Sequence, residues 1–401
     1  MLLTFHDRCG IIYNIILTFK DVYNMRKFVI APDSFKGSAS ATEICEIGKN
    51  AIKRIIPDAV ISTLPIADGG EGTSDCFLAA LGGERCEKVV AGPDFSKTNA
   101  SYALIDNCAI IEIVAAAGLP LAGPSNNPGE STTYGVGELM CDAALRGARK
   151  IILALGGSCT NDAACGIAAA CGVRFFNDKG KEFIPTGATL KNIESIDVSD
   201  AKQRFCGIEI KAMCDIDNPL YGESGAAYVF APQKGADENM VRLLDDNLRA
   251  FSEVVKHKLG CDVADIPGAG AAGGAGAGVV AFLNASLCRG IDTVLDLCNF
   301  DKLCKNADLI ITGEGRIDGQ TSGGKAISGI AQRAKKLGVP VAVIAGDIGD
   351  NIDSMYDMGV SFVLSTNRVA KDFSETKHRA KSDLELTFDT LARMIKTVSN
   401  L

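Results

Sequence analysis

A strand-loop-helix stretch around residue 310 constrains this chain more than any other feature. Residues 308–312 form a short apolar run, typical of a buried parallel strand, and a Gly-x-Gly pattern follows at once. Helical periodicity resumes at Ala326. Ligands of open α/β sheets bind beyond the carboxyl ends of the strands. The intervening loop carries two carboxylates, an arginine, a lysine and five glycines, so we expect it to bind a polyanion and its metal.

A strict P-loop is the narrower interpretation of this loop. Residues 319–325 match G-x-x-x-x-G-K, whose backbone amides and lysine bind phosphates in nucleotide-binding proteins. However, Ala326 occupies the position of the Mg²⁺-binding Ser or Thr, and the predicted strand ends several residues too early. We therefore favour a broader anion site with metal-binding acids; a solvated turn that needs glycine for positive φ is the alternative without a ligand.

The first predicted βαβ unit spans residues 27–66. Ser40 and Glu43 form a capping box at the start of its helix, and apolar runs flank that helix on both sides. Polar, glycine-containing loops follow both strands, at 32–38 and 67–73. If the strands are parallel, both loops lie at one edge of one sheet. The charged residues that this arrangement collects there are Asp33, Lys36, Asp68 and Glu71.

A second domain is indicated by three short strand-like runs within residues 86–114, which Pro, Asp and Asn turns connect. Strands in quick succession favour an antiparallel sheet. The α/β rhythm returns at Ile291, so we predict a discontinuous α/β domain, 25–85 plus 291–401, interrupted by residues 86–290. The expected ligand site is the cleft between them. Residues 1–24 are expected to be an extension outside the fold.

Two loops of the inserted domain have competing interpretations. Residues 156–162 place hydroxyls, an amide and a carboxylate between a strand and a helix, which suits either an anion site or an ordinary helix cap. Residues 268–273 match the dinucleotide pattern G-x-G-x-x-G. We reject a dinucleotide site there because residues 261–267 do not have the pattern of a buried strand.

Composition excludes several classes of protein. The net charge is −8 without any basic run, which argues against nucleic acid and anionic membranes as partners. No apolar run reaches the length of a membrane span. The 15 cysteines form no C-x-x-C pairs and sit in apolar contexts, which indicates a reducing, cytoplasmic environment. The three histidines lie away from every motif, so a Cys-His pair that would activate Cys159 has little support.

Taken together, the loops resemble those of the bacterial glycerate kinase family, type I. The motifs that carry the resemblance occur in the family's order at residues 31–38, 67–73, 156–162, 214–220, 270–274 and 312–320. The resemblance implies two α/β domains, a flavodoxin-like parallel-sheet domain interrupted by a second mixed α/β domain. One departure is visible: Ala163 and Ala164 stand where the family usually has paired glycines.

The resemblance also implies the reaction, which is ATP-dependent phosphorylation of D-glycerate with Mg²⁺, giving 2-phosphoglycerate. Phosphoryl transfer needs cations on the moving group, a metal and a proton acceptor. The residues to which we assign catalysis are Lys36, Asp162, Asp215, Arg316 and Asp318. Those assigned to nucleotide binding are Asp68, Glu71, Ser158, Asn161, Gly273, Gly274, Glu314 and Lys325. The expected metal ligands are Asp215, Glu314 and Asp318.

Three alternatives remain open at this stage. A kinase of the same family could phosphorylate the 3-hydroxyl instead. An NAD-dependent 2-hydroxy-acid dehydrogenase would use the glycines at 268–273. A regulator that responds to a sugar acid would need a DNA-binding module, and neither a basic patch nor a helix-turn-helix is recognisable. A homo-oligomer is compatible with the sequence.

Overall fold

The computed structural model describes residues 26–66, 69–70, 72–123, 126–318, 325–369 and 371–398. The predicted extension 1–24, Asp68 and Glu71 lie outside the described residues, as does the side chain of Lys325. The chain divides into two compact units. Unit 1 comprises Met1–Ala67 and Val294–Leu401, and unit 2 comprises Asp68–Thr293. The division thus falls after residue 67, where the sequence had suggested 85.

The described residues form alternating strands and helices. In chain order the strands are β1 (Lys27–Ile30), β2 (Val60–Thr63), β3 (Glu84–Ala91), β4 (Lys97–Ile105), β5 (Cys108–Glu112), β6 (Lys150–Ala154), β7 (Arg174–Phe176), β8 (Glu182–Phe183), β9 (Ser195–Asp197), β10 (Glu209–Met213), β11 (Ser286–Cys288), β12 (Leu309–Ile317), β13 (Val341–Ile348) and β14 (Val360–Ser365).

The helices, in chain order, are α1 (Ala41–Ile55), α2 (Thr73–Leu81), α3 (Val114–Ala117), α4 (Leu119–Ala122), α5 (Tyr134–Leu145), α6 (Cys165–Cys171), α7 (Ser199–Arg204), α8 (Ala226–Phe230), α9 (Glu238–Leu259), α10 (Ala271–Leu283), α11 (Gly290–Leu297), α12 (Phe300–Cys304), α13 (Lys325–Leu337), α14 (Asp353–Met358), α15 (Phe373–Thr376) and α16 (Ala380–Val398). Short 3-10 turns occupy Gly187–Asn192, Pro232–Lys234 and Lys377–Arg379. Within the described part of the chain, no helix is both long and apolar enough to cross a membrane.

Unit 1 is built on a five-stranded sheet in the order β14-β13-β12-β1-β2, and every neighbouring pair is parallel. Counted within the sheet, this order is 2-1-3-4-5, which is the flavodoxin-like arrangement. The predicted fold class is therefore confirmed. In this topology the strand order reverses between β1 and β12, and the loops that leave these two strands diverge at a ligand-binding position.

Local signals account for the first helix of unit 1. Ser40 accepts a hydrogen bond from Glu43 N, and Ser40 N donates to the Glu43 carboxylate, so the predicted capping box is present. The buried face of α1 packs against α16 from the far end of the chain. A Cβ atom on Gly48 would lie 2.6 Å from Phe388 Cζ, so the two helices approach closely here. This packing joins residues that are more than 300 positions apart.

Unit 2 contains a six-stranded sheet in the order β11-β10-β6-β5-β4-β3. Strands β3, β4 and β5 pair antiparallel, as predicted, and β5, β6, β10 and β11 continue the sheet in parallel. A small antiparallel sheet of β8, β7 and β9 was not predicted, because its strands have only two or three residues.

One predicted strand boundary was wrong. The strand at 308–312 continues through Ile317, because Gly313 lets β13 lie close: a Cβ there would be 2.0 Å from Ile344 O. Two helices have irregular backbone. Helices α11 and α12 are separated at Asn299, which has a left-handed φ of 49°. Helix α10 includes three left-handed residues, 272–274.

Candidate active site

The carboxyl edge of the unit 1 sheet brings two predicted loops together at the point of strand reversal. Asp33 N donates a hydrogen bond to Gly313 O at 2.9 Å, which ties the loop after β1 to β12. A Cβ on Gly315 would lie 3.5 Å from Lys36 N, so the loop after β1 still lies beside β12 at these two residues. The sheet topology thus places residues 33–36 beside the end of β12.

Charged side chains of both signs lie along this edge. Glu314 and Asp318 are half-buried, and Arg316 is exposed. The Nε atom of Arg316 lies 3.8 Å from Asp318 Oδ2 and 3.8 Å from Asp347 Oδ2. Both distances exceed hydrogen-bond length, and Arg316 makes no hydrogen bond to any other described residue. Its guanidinium donors are therefore available to an anionic ligand.

Asp347 is a site residue that the sequence analysis did not select. It lies near the end of β13, in register with Arg316 on β12. The signal that could have found it is an acidic residue at the carboxyl end of the apolar run 341–345. Its carboxylate balances part of the charge of Arg316.

Lys36 lies in the loop after β1, and its side chain is exposed. A depression of about 320 Å³ is lined by residues 34–40 and Glu43 of α1. It lies at the end of β1, where the topology predicts a ligand. Lys36 is the one lysine among those lining residues.

The proposed metal ligands are carboxylates, whose oxygens suit a hard divalent cation. Among the described residues, no three His, Cys, Asp or Glu side chains are grouped closely enough to hold a metal. Glu314 and Asp318 belong to unit 1 and Asp215 to unit 2. Carboxylates are the ligand type that Mg²⁺ binds, and the assignment of these three residues as its ligands stays a prediction.

In unit 2, Asp215 lies two residues beyond the end of β10. Its Oδ1 accepts a hydrogen bond from Gly290 N at 3.0 Å, which links the end of β10 to the start of α11. The carboxylate is half-buried. Asp215 thus lies at the carboxyl end of a parallel strand, where a catalytic or metal-binding role was predicted.

Asp162 is fully buried at the end of the loop that follows β6. Its carboxylate accepts hydrogen bonds from Thr133 N, Thr133 Oγ1, Ala164 N and Gly166 N at 2.8–3.2 Å. Burial raises the pKa of Asp162, and these four hydrogen bonds oppose that shift. The carboxylate caps the start of α6, and in this arrangement it anchors the loop.

Lys234, a buried lysine that the sequence analysis did not identify, organises the same loop. Its Nζ atom donates to Ser158 Oγ at 2.9 Å and to Thr160 O at 2.8 Å. Burial lowers the pKa of Lys234 to about 8, because a charged ammonium is poorly solvated there. A lysine among the apolar and small residues 226–236 was the available sequence signal.

Asn161 and Thr160 are fully buried beside this lysine. The amide nitrogen and oxygen of Asn161 and the hydroxyl of Thr160 have no hydrogen-bond partner among the described residues. Buried polar groups are normally paired. Asn161, a predicted ligand-binding residue, and its neighbour Thr160 therefore retain unused hydrogen-bonding capacity.

Gly273 of α10 contacts this loop, and Gly274 packs beside it against Leu220. A Cβ on Gly273 would lie 2.1 Å from Thr160 O, and one on Gly274 would lie 2.9 Å from Leu220 Cδ1. Both glycines have positive φ, and Gly273 O accepts a hydrogen bond from Ala163 N at 3.1 Å. The described residues 261–270 contain no strand, which agrees with our rejection of a dinucleotide fingerprint.

The thiol of Cys159 is fully buried. Burial raises its pKa to about 11, so the thiol is protonated at neutral pH. A protonated, buried thiol is a poor nucleophile. This environment agrees with the low support that the sequence gave to a nucleophilic Cys159.

Comparison with known proteins identifies the family to which this chain belongs. The family model described as the glycerate kinase family matches residues 28–396. A glycerate kinase of Bacillus cereus is 46% identical over 376 residues, which cover 93% of this chain and 99% of the relative. The glycerate 2-kinase of Escherichia coli is 42% identical over 84% of this chain and 90% of its own length.

A solved structure is similar throughout the chain as well. The crystal structure of a protein designated glycerate kinase 2 from Salmonella typhimurium LT2 aligns with a TM-score of 0.85 and 38% identity. The alignment covers 94% of this chain and 100% of that protein. The resemblance inferred from the loop motifs is confirmed.

Proposed function

This chain is an enzyme of the glycerate kinase family, and from that premise we propose that it transfers the γ-phosphoryl group of ATP to the 2-hydroxyl of D-glycerate. The observation that carries the proposal is the charged carboxyl edge of the flavodoxin-like sheet. There, Lys36 and Arg316 supply cations, and Glu314 and Asp318 supply carboxylates. Phosphoryl transfer depends on this combination of positioning and charge.

In this proposal Arg316 and Lys36 bind the negatively charged groups of the substrates. Arg316 presents a planar fork of donors that matches phosphate or carboxylate oxygens. Its two neighbouring carboxylates lie 3.8 Å from Nε and do not use its hydrogen bonds. Lys36 adds a mobile point charge on the adjoining loop. Together they would stabilise the charge that the transferred phosphoryl group carries.

Carboxylates would supply the metal site and the proton acceptor. Glu314 and Asp318 of unit 1 would hold Mg²⁺, which neutralises phosphate charge when bound. A carboxylate would also accept the substrate's hydroxyl proton, because no histidine lies in the motifs. For Asp162 we propose a positioning role, since its four hydrogen bonds occupy the carboxylate.

One assay tests the proposal. Purified protein is incubated with D-glycerate, ATP and Mg²⁺, and phosphorus NMR identifies the product. We expect the resonance and proton coupling of 2-phosphoglycerate. Formation of 3-phosphoglycerate would establish the other hydroxyl as acceptor, and no phosphorylated glycerate under saturating conditions would refute the proposal. Omission of Mg²⁺ should abolish turnover.

The dehydrogenase alternative is not supported by the structure of residues 268–273. A dinucleotide site needs a strand before the glycines and an open helix start after them. Here the glycines follow a non-strand segment, and Gly273 packs against the backbone at Thr160. We expect no NAD-dependent oxidation of glycerate in a spectrophotometric assay at 340 nm, the usual nicotinamide band.

A further inference from the structure

The charge of Lys234 has no counter-ion in the part of unit 2 that the structure describes. The side chain is 4% exposed, and no described carboxylate lies within 4.0 Å of its ammonium group. The titratable groups that face it are Cys159 and Asp162. Cys159 is a protonated thiol, and the oxygens of Asp162 are already engaged with donors from the α5 and α6 starts. Buried charges are normally paired, so a bound anion would compensate the charge of Lys234.

Lys234 is fixed against the loop by its main chain as well as by its ammonium group. Asn126 Nδ2 donates to Lys234 O at 2.7 Å and to Cys159 O at 2.9 Å. Asn126 Oδ1 accepts from Ser131 Oγ at 2.8 Å, which fixes the orientation of this amide. The Asn126 amide thus ties the main chain of Lys234 to the loop, and the side chain cannot turn away without breaking its two buried hydrogen bonds.

A second, independent observation concerns Thr160 and Asn161 of the 156–162 loop. The Thr160 hydroxyl and both polar atoms of the Asn161 amide are fully buried, and they have no partner among the described residues. An unsatisfied buried polar group is unfavourable unless a ligand or water completes it. These groups lie on the segment whose carbonyl Lys234 binds, so unused donors and an uncompensated cation occur together.

We propose that Lys234 is the buried cation of an oxyanion site on the 156–162 loop, where it positions the Ser158 hydroxyl as a donor. An ammonium group only donates hydrogen bonds, so Ser158 Oγ must accept from it. The hydrogen of the Ser158 hydroxyl is then left to donate to the anion. Thr160 and Asn161 provide further donors. Lys234 is a positioning residue, because it acts through Ser158.

The proposal rests on the proposed function for the identity of its ligand. The ligand is an oxyanion, either the carboxylate of glycerate or a phosphate of the nucleotide. A carboxylate or phosphate supplies the negative charge that Lys234 lacks and accepts hydrogen bonds from hydroxyls and amides. The two sources are separated by experiment.

The site should lose its anion at alkaline pH. Below a pKa of about 8, Lys234 is charged and Ser158 is held as a donor. Above it, the neutral amine can accept a hydrogen bond, so the Ser158 hydroxyl can turn inward and the site loses a positive charge. Anion affinity should therefore be constant up to pH 7.5 and fall roughly tenfold per unit well above pH 8.

The test measures dissociation constants by isothermal titration calorimetry for D-glycerate, ATP and inorganic phosphate separately, at pH 7 and pH 9. The full-length variants are Lys234→Met, Lys234→Arg and Ser158→Ala, with the exposed Lys202→Met as the matched control. We expect Lys234→Met and Ser158→Ala to bind one of the anions about ten- to a hundredfold more weakly at pH 7. The anion affected identifies the source of the oxyanion.

Lys234→Arg provides a readout that a purely structural role would not change. Arginine stays charged at pH 9, so this variant should lose the alkaline fall in affinity that the wild type shows. If Lys234→Met does not fold, Ser158→Ala decides the question, because it removes one hydroxyl and keeps the lysine. Unchanged affinity for all three anions in Ser158→Ala, or no binding of any of them by the wild type, would overturn the proposal. Anion binding that depends on Lys234 in a protein without kinase activity would support the site and refute the proposed function.

Discussion

Ala163 and Ala164 show strain at the scale of single residues. They have φ values of 50° and 56°, in the left-handed region that favours glycine. The backbone at this point is forced, because Ala163 N bonds to Gly273 O and a Cβ on Gly278 would lie 1.8 Å from Ala163 O. Glycine would adopt this backbone conformation without strain, whereas this chain adopts it with two alanines.

We predict that Ala163→Gly and Ala164→Gly each stabilise the protein. Relief of left-handed strain contributes about 1–2 kcal/mol, and the greater freedom of glycine in the unfolded chain offsets about 0.5–1 kcal/mol of that. Urea unfolding should show a net gain of about 0.5–1 kcal/mol per site. Ala168→Gly, in the regular part of α6, is the control and should lower stability. A lower midpoint in both Ala163→Gly and Ala164→Gly would contradict the strain argument.

At the scale of elements, glycines decide how strand β12 lies beside β13. The two strands pair in parallel from Ile310 to Ile317. A Cβ on Gly346 would lie 2.4 Å from Gly315 O, whereas a Cβ on Gly315 would meet nothing closer than 3.5 Å. Glycine is thus needed at position 346, where the two backbones approach closely, whereas position 315 has room for a methyl group.

We predict that Gly346→Ala destabilises unit 1 by about 1–3 kcal/mol, because the strands must separate to admit the methyl group. The matched control is Gly315→Ala, which should change the unfolding free energy by less than about 0.5 kcal/mol. Thermal and urea unfolding of both variants provide the comparison. Equal stability of the two variants would show that the sheet edge is more adaptable than this geometry implies.

At the scale of the whole molecule, catalysis and stability should be separable. Arg316 and Asp318 project from the carboxyl edge of a sheet whose core lies elsewhere, in the contacts of β1, β12, α1 and α16. Their ion pair is loose and solvent-exposed on the arginine side, so it contributes little to folding. We therefore expect these two side chains to contribute to catalysis rather than to folding.

We predict that Arg316→Ala and Asp318→Asn each lower kcat/KM for glycerate phosphorylation by about 10²–10³-fold, as expected for lost charge stabilisation at a moving phosphoryl group. Their melting temperatures should stay within about 2 °C of the wild type, since neither change opens a core cavity. Arg393→Ala on the surface of α16 is the control for removal of an exposed arginine. Near-normal kcat/KM in both site variants would place the chemistry away from this edge.

Much of the fold could be predicted from the sequence, because the signals are local. Capping by Ser40, the period of the apolar residues in α1 and α16, and buried runs followed by glycine loops all act within one or two turns of chain. The same local reasoning found the loops at 32–38, 156–162 and 312–318, since parallel strands present polar residues at their carboxyl ends. The family resemblance then associated these loops with one candidate reaction.

Local residue patterns gave neither the order of the strands, which only the family resemblance implied, nor the burial of each charge; the tertiary structure established both. Strand order 2-1-3-4-5 depends on pairing between β1 and β12, which are more than 270 residues apart, and local pattern carries no information about that pairing. Lys234 had no visible link to Ser158, because burial and a hydrogen bond are properties of the folded chain. Asp162 resembled a catalytic carboxylate in the sequence, and its four donors come from two separate segments. A sequence names the chemical groups, whereas their pKa values and partners depend on solvent exclusion and on distances that only folding establishes.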